Sequence, residues 1–305
     1  MTFKNMRYKN LVFATMLSIG AVVCLASCNG VSEQEASSDN DIEFEQIGIE
    51  RTFALERSDD SPMCNLDISV EFPVQSETYD LGSIQKIFQN SIIGSDYNGM
   101  DMEDGLEKYA HNYIENYKRD AEVFKTTRPN EDYGEEFDDL YHEDGEHANL
   151  PDVFYSYYET ITDSIAYNHY GVLSYQVKQT NSKGGDVSYE SVRNYSINLG
   201  NGQLLDEDDI FVAGYDVSLR PIIQSYLMQA NGVKSIDDLE DIGYFGIDEI
   251  VPNGNFLITE TAIIYTYNKG EYSAYQLPAS NVVIPYSSVR SILRDGSVVS
   301  KLSKR

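Results

Sequence analysis

The sequence predicts an α+β chain, with helices packed on antiparallel sheet and arranged in two lobes. Three observations predict it. Apolar residues recur with period 2 in several segments, and each such segment reads as a half-buried strand. Short turns such as Lys183-Gly184-Gly185-Asp186 and Gly200-Asn201-Gly202 separate several of these segments, as hairpins require. Helical patterns are few and do not alternate regularly with strands, which argues against a doubly wound parallel sheet.

The first element is a leader, residues 1–27. Lys4, Arg7 and Lys9 precede an uncharged run of 17 residues, Leu11 to Ser27. That run is shorter than the roughly 20 residues a membrane span needs, and it suits the apolar core of an export signal. It ends in Leu25-Ala26-Ser27-Cys28, which resembles the bacterial lipobox. The expectation is a lipoprotein lipidated at Cys28 and anchored to the outer membrane, on the periplasmic face or the cell surface. The bland alternative is a signal peptide or anchor that happens to contain a cysteine. Residues 28–41 are polar and aperiodic and read as a tether. Cys24 leaves with the leader and Cys28 carries lipid, so Cys64 has no disulfide partner in the chain and reads as a small buried hydrophobe.

An N-terminal α+β lobe is expected over 42–150. Ile47, Ile49, Phe53 and Leu55 define one strand, and Leu66, Ile68, Val70 and Phe72 a second that stops at Pro73. Leu81, Ile84, Phe88 and Ile92 recur at helical spacing before Gly94. A second helix is expected from Met102 to Phe124, with Leu106, Tyr109, Tyr113, Tyr117 and Ala121 forming a packing stripe. From Asn130 to Asp152 there are ten acidic residues and no Lys or Arg, which reads as an exposed acidic loop.

A C-terminal domain is expected over 151–294, followed by a tail, 295–305. Its strands are 153–162, 172–180, 187–199, 255–259, 262–268 and 281–285. The acidic run Asp206 to Asp209 suits a helix N-terminus. Pro221 is expected in the first turn of a helix reaching Ala230, and Ser287 to Leu293 forms a closing helix. Phe256, Ile258, Ile263 and Tyr265 are expected to be buried at alternating positions.

Charge bounds the partners. The chain has 22 basic and 50 acidic residues, a net charge of −28, and loss of Lys4, Arg7 and Lys9 with the leader brings this to −31. Such a surface disfavours nucleic acid and anionic lipid and favours basic partners. Membrane contact is therefore expected only through the lipid on Cys28. His142 and His147 are spaced i, i+5 around Gly145, unlike the i, i+4 pair of a zinc-protease helix, so no metal and no cofactor is expected. No catalytic motif stands out, and a carboxylate pair for glycan chemistry arises easily by chance among 50 acids.

Residues 255–286 carry the most recognisable pattern. Asn255-Phe256-Leu257-Ile258-Thr259, Tyr265-Thr266-Tyr267-Asn268, Glu271-Tyr272-Ser273-Ala274-Tyr275 and Ile284-Pro285-Tyr286, with the upstream Leu204-Leu205-Asp206-Glu207-Asp208-Asp209-Ile210-Phe211, resemble the C-terminal domain of the RsiV-like family of exported proteins. The resemblance covers about residues 60–294. The loop GEYSAYQLPASN departs from the family by lacking a glycine after its second tyrosine and by adding Pro278. The resemblance implies a stand-alone lipoprotein of the Bacteroidetes type, related to lysozyme-sensing anti-sigma factors and to some polysaccharide deacetylases. It implies a non-enzymatic binding or sensing module for an envelope component, peptidoglycan or another glycan, or a basic protein such as lysozyme. The expected contact residues are Tyr265, Tyr267, Tyr272 and Tyr275 with the acidic loop at Glu135, Asp138 and Asp139. The alternatives are a glycan-acting enzyme with paired carboxylates and a scaffold lipoprotein of the outer membrane.

Overall fold

A computed structural model describes residues 39–55, 61–127, 156–184 and 188–305. Cys28, most of the tether, Glu135, Asp138, Asp139 and the His142/His147 segment lie outside the described residues. Residues Ser37–Arg305 form one compact unit. Its fold is α+β.

Six strands form the main sheet in chain order: β1 (Glu43–Ala54), β2 (Met63–Gln75), β3 (Tyr157–His169), β4 (Val172–Lys183), β5 (Tyr189–Asn198) and β6 (Gln203–Leu204). The period-2 patterns become alternating faces. Leu66, Ile68, Val70 and Phe72 are buried on β2, with Asp67 and Ser69 exposed between them. Gly48 allows β1 to approach β2, because a Cβ there would sit 2.1 Å from the carbonyl oxygen of Ile68. One pairing departs from the expected hairpins. β2 and β3 are parallel from Cys64↔Tyr157 to Ser69↔Thr162. The crossover between them carries α1 (Leu81–Ile93) and α2 (Met102–Thr127), as parallel neighbours require. This sheet therefore draws strands from both sides of residue 150.

α1 and α2 cover one face of the sheet. Asp80 caps α1 by accepting from Ser83 N, and Gly94 ends it. Phe88 on α1 is fully buried and its ring stacks on Tyr175 of β4 at 3.9 Å. Leu106, Tyr117 and Ala121 of the α2 stripe are buried, and Tyr109 and Tyr113 pack against the same core.

A second core surrounds a three-stranded sheet: β7 (Phe256–Ile258), β8 (Ala262–Tyr267) and β9 (Ser280–Pro285). It joins these strands to α3 (Glu207–Ile210), α4 (Tyr215–Asn231), α5 (Ile236–Asp241), α6 (Tyr286–Val289) and α7 (Val298–Leu302). α3 begins with a capping box between Asp206 and Asp209, and α5 with one between Ser235 and Asp238. Pro221 does not open its helix. α4 starts six residues earlier, after Gly214, and Pro221 lies inside it. The buried face Leu219, Ile223 and Leu227 holds the helix across the missing N–H. The expected closing helix is shorter, with α6 passing into a 3-10 turn, Arg290–Ile292.

Phe256, Ile258, Ile263 and Tyr265 are buried as expected, but so are Leu257, Thr266 and Tyr267. The small sheet is covered on both sides, because it docks against β5. β5 pairs with β6 only at Ile197 and Asn198, which leaves its outer edge before them without a strand. Asparagine amides take the strand's place. Asn268 Oδ1 accepts from Val192 N at 2.7 Å and Asn268 Nδ2 donates to Val192 O at 3.1 Å. Asn255 Oδ1 accepts from Asn194 N at 2.7 Å, and its Nδ2 donates to Val192 O and Thr266 O. Asn194 Nδ2 donates to Thr266 Oγ1 at 2.7 Å. The amides pair the backbone groups of an otherwise open edge.

Candidate aromatic recognition surface

The four tyrosines singled out in the sequence divide into two roles. Tyr265 and Tyr267 are buried in the second core. Burial and the neighbouring Glu207 carboxylate push the Tyr265 hydroxyl well above its usual range. Tyr267 donates to Val251 O at 2.9 Å, and burial raises its hydroxyl too. These two side chains pack the small sheet and present no outer surface. Glu207, from the acidic step upstream, also accepts from the Tyr215 hydroxyl and from Gly254 N, both at 3.0 Å. This acidic step therefore helps to build the second core.

Tyr272 and Tyr275 lie on the loop after β8. Tyr272 is half-buried, with its ring edge-on to Tyr267 at 5.5 Å. Tyr275 is 43% exposed. Gly270, at φ +81°, lies so close beneath the Tyr275 ring that a Cβ there would come within 3.3 Å of it. A second loop, 242–246, is zipped to this one: Phe245 N donates to Tyr272 O, Ala274 N donates to Gly243 O, and Tyr244 bridges Ser273. This rung brings up side chains that the sequence reading missed. Phe245 is 48% and Ile242 45% exposed. Tyr189, at the start of β5, is 55% exposed and meets Tyr275 edge-on at 6.2 Å. The available signal was an aromatic pair between glycines, Gly243-Tyr244-Phe245-Gly246.

A buried carboxylate, Glu159, and a half-buried one, Asp163, lie on the covered face of the main sheet. Burial raises Glu159, and hydrogen bonds from Tyr109 and Gln179 oppose the rise. Asp163 is pushed up to about 7, chiefly by burial. They are four residues apart on one strand, so their Cα atoms are about 13 Å apart. Glycoside hydrolases hold their two carboxyl groups roughly 5–10 Å apart. Cys64 is fully buried near Glu159, and burial raises its thiol to about 12. In the 37–305 chain, where Cys64 is the one cysteine, iodoacetamide at about pH 8 is expected to leave it unmodified when folded and to alkylate it in urea. Ready labelling of the folded chain would contradict its burial.

Residues 208–287 match the model of a family described as protein of unknown function (DUF3298), so the chain carries a DUF3298 domain at its C-terminus. Two solved structures share the wider fold. One, a member of the DUF3298 family from Bacteroides fragilis NCTC 9343, is 24% identical, with a TM-score of 0.74 over 88% of this chain and all of that one. The other, a DUF3298 family protein from Pseudomonas aeruginosa PAO1, is 12% identical, with a TM-score of 0.52 over 85% of this chain and 97% of that one. At these identities the likeness shows the fold. No curated protein matches the chain.

Proposed function

We propose that this chain is an exported lipoprotein, lipidated at Cys28 and anchored to the outer membrane, that acts as an RsiV-like binding or sensing module. The observation that carries the reading is the exposed aromatic pair Tyr275 and Tyr189, with exposed Phe245 and Ile242 on the loop bonded to that of Tyr275, on a chain of net charge −28. Aromatic side chains give rigid contact area at an interface. The surrounding charge draws a cationic partner toward them. The ligand class is a basic envelope-directed protein such as lysozyme, or a peptidoglycan fragment. Glu135, Asp138 and Asp139 would add to the attraction.

Calorimetry of residues 37–305 against lysozyme and against peptidoglycan fragments tests this at about 0.15 M salt, where unscreened charge attraction reaches only ~8 Å. Binding is expected to persist there and to weaken about tenfold or more on Tyr275→Ala or Phe245→Ala. Binding to neither ligand would remove both from the proposal. Binding that ignores both substitutions would move the site elsewhere.

A further inference from the structure

We propose that residues 290–305 form a basic foot that docks on anionic lipid headgroups and orients the folded unit on the membrane. This rests on the lipid-anchored reading above. It adds a contact by the protein body to the one made by the lipid.

The charge of the chain inverts after β9. Residues 287–305 hold Arg290, Arg294, Lys301, Lys304 and Arg305 against the single acid Asp295, in a chain of net charge −28. All five cations are exposed. Among the described residues none of them is ion-paired, although α3 with its acidic run lies alongside. Arg294 N donates to Ile210 O, and Phe211 bridges Leu293. Asp206 and Asp209 are engaged in the capping box and Glu207 with Tyr215 and Gly254, while Asp208 is exposed beside them.

The end of this segment lies where the chain enters the described structure at Asp39. Asp39 pairs with His169 at the β3–β4 turn, and Asn40 ties down Gly171 N and Val172 O beside it. The Arg305 guanidinium lies 3.8 Å over the ring of Tyr170 in that same turn. Tyr170 sits at φ +54° and is 38% exposed. Tyrosine and arginine both favour the headgroup region.

The aromatic surface lies at the far end. β4 runs from Val172 at the foot to Asn181, which pairs with Tyr189, a distance of about 30 Å. A docked foot would therefore hold the recognition surface away from the bilayer. The acidic body does not forbid this. Charges beyond about 10 Å are largely screened at 0.1 M salt, while juxtamembrane cations attract anionic headgroups at short range.

The test uses residues 37–305 held by an N-terminal hexahistidine on vesicles with nickel-chelating lipid, made with phosphatidylcholine alone or with added phosphatidylglycerol. Amine acetylation is read by mass spectrometry. Lys301 and Lys304 are expected to be protected several-fold on the anionic vesicles only. Lys86 and Lys108, on the helices, should label equally on both. Arg290→Glu with Arg305→Glu, which spares both reporter lysines, is expected to abolish the protection. Equal labelling of Lys301 and Lys304 on the two vesicles, protection spread over all lysines, or protection that survives the double reversal would each overturn the proposal. The artificial anchor makes the result independent of acylation. Palmitate labelling of Cys28 in cells tests that reading separately.

Discussion

Asn255→Ala is expected to lower the free energy of unfolding by about 2 kcal/mol, because it orphans one backbone N–H and removes a donor from each of two carbonyls. The side chain accepts from Asn194 N and donates to Val192 O and Thr266 O. It is a short stand-in for a strand along the β5 edge. Alanine leaves Asn194 N without its acceptor in a region closed by the fully buried Thr266, while Val192 O keeps Asn268 Nδ2 and Thr266 O keeps Asn253 Nδ2. Asn255→Asp keeps an acceptor for Asn194 N but turns the donor toward two carbonyls into a second acceptor, so it should not rescue. Urea unfolding measures the effect as a shift in midpoint at unchanged slope. Asn201→Ala, in an exposed turn, serves as the control. A loss within 0.5 kcal/mol for Asn255→Ala would mean that the two sheets are held by apolar contact alone.

That network marks where sequence reading stops. Period 2 was enough to find β1, β2, β8 and β9, because each has a neighbour that buries alternate side chains. It failed for the second face of β8. Thr266 reads as solvent-facing until β5 is placed over it, and the sequence does not carry that placement. Asparagine at both ends of the Asn255–Asn268 segment was the available signal. It is poorly suited to strands, so its presence there asks for a hydrogen-bonding reason. The parallel β2–β3 pairing was invisible for a related reason. A hairpin is written in its turn, whereas a crossover through two helices leaves no local mark. Pro221 misled because a local rule about helix starts was outweighed by the Leu219, Ile223 and Leu227 face.

The candidate surface was half legible. The loop after β8 was located, and Tyr275 is exposed on it. Tyr265 and Tyr267 look alike in sequence but point into the core, since both occupy strand positions between two packed layers. Tyr189 comes from a distant segment and meets Tyr275 at the β5 start, and Phe245 stands on the loop whose backbone bonds to that of Tyr272.

Asp163→Asn is expected to change the pH dependence of stability by about 2 kcal/mol between pH 4 and pH 8. Asp163 Oδ1 accepts from Glu71 N at 2.7 Å, one step beyond the last β2–β3 pair, Ser69↔Thr162. Its Oδ2 is buried with no hydrogen-bond partner among the described residues. Burial is the main cause that raises the group from 3.8 to about 7, and the nearby Glu71 charge adds to it. The folded chain thus keeps a proton that the unfolded chain releases above about 4. Stability from this group is complete below that pH and is lost as pH rises through about 7. Three pKa units correspond to roughly 4 kcal/mol, halved here because part of the carboxyl keeps its solvent. Asparagine cannot ionise, so the variant gains on the wild type as pH rises. Its Nδ2 has no better partner than Oδ2 had, and that cost is the same at every pH. The readout is therefore the slope of the difference and not its size at one pH. Melting temperatures of both proteins from pH 4 to 9 should diverge by about 5 °C. Parallel curves would show that Asp163 stays ionised throughout and that water or a cation reaches its buried oxygen.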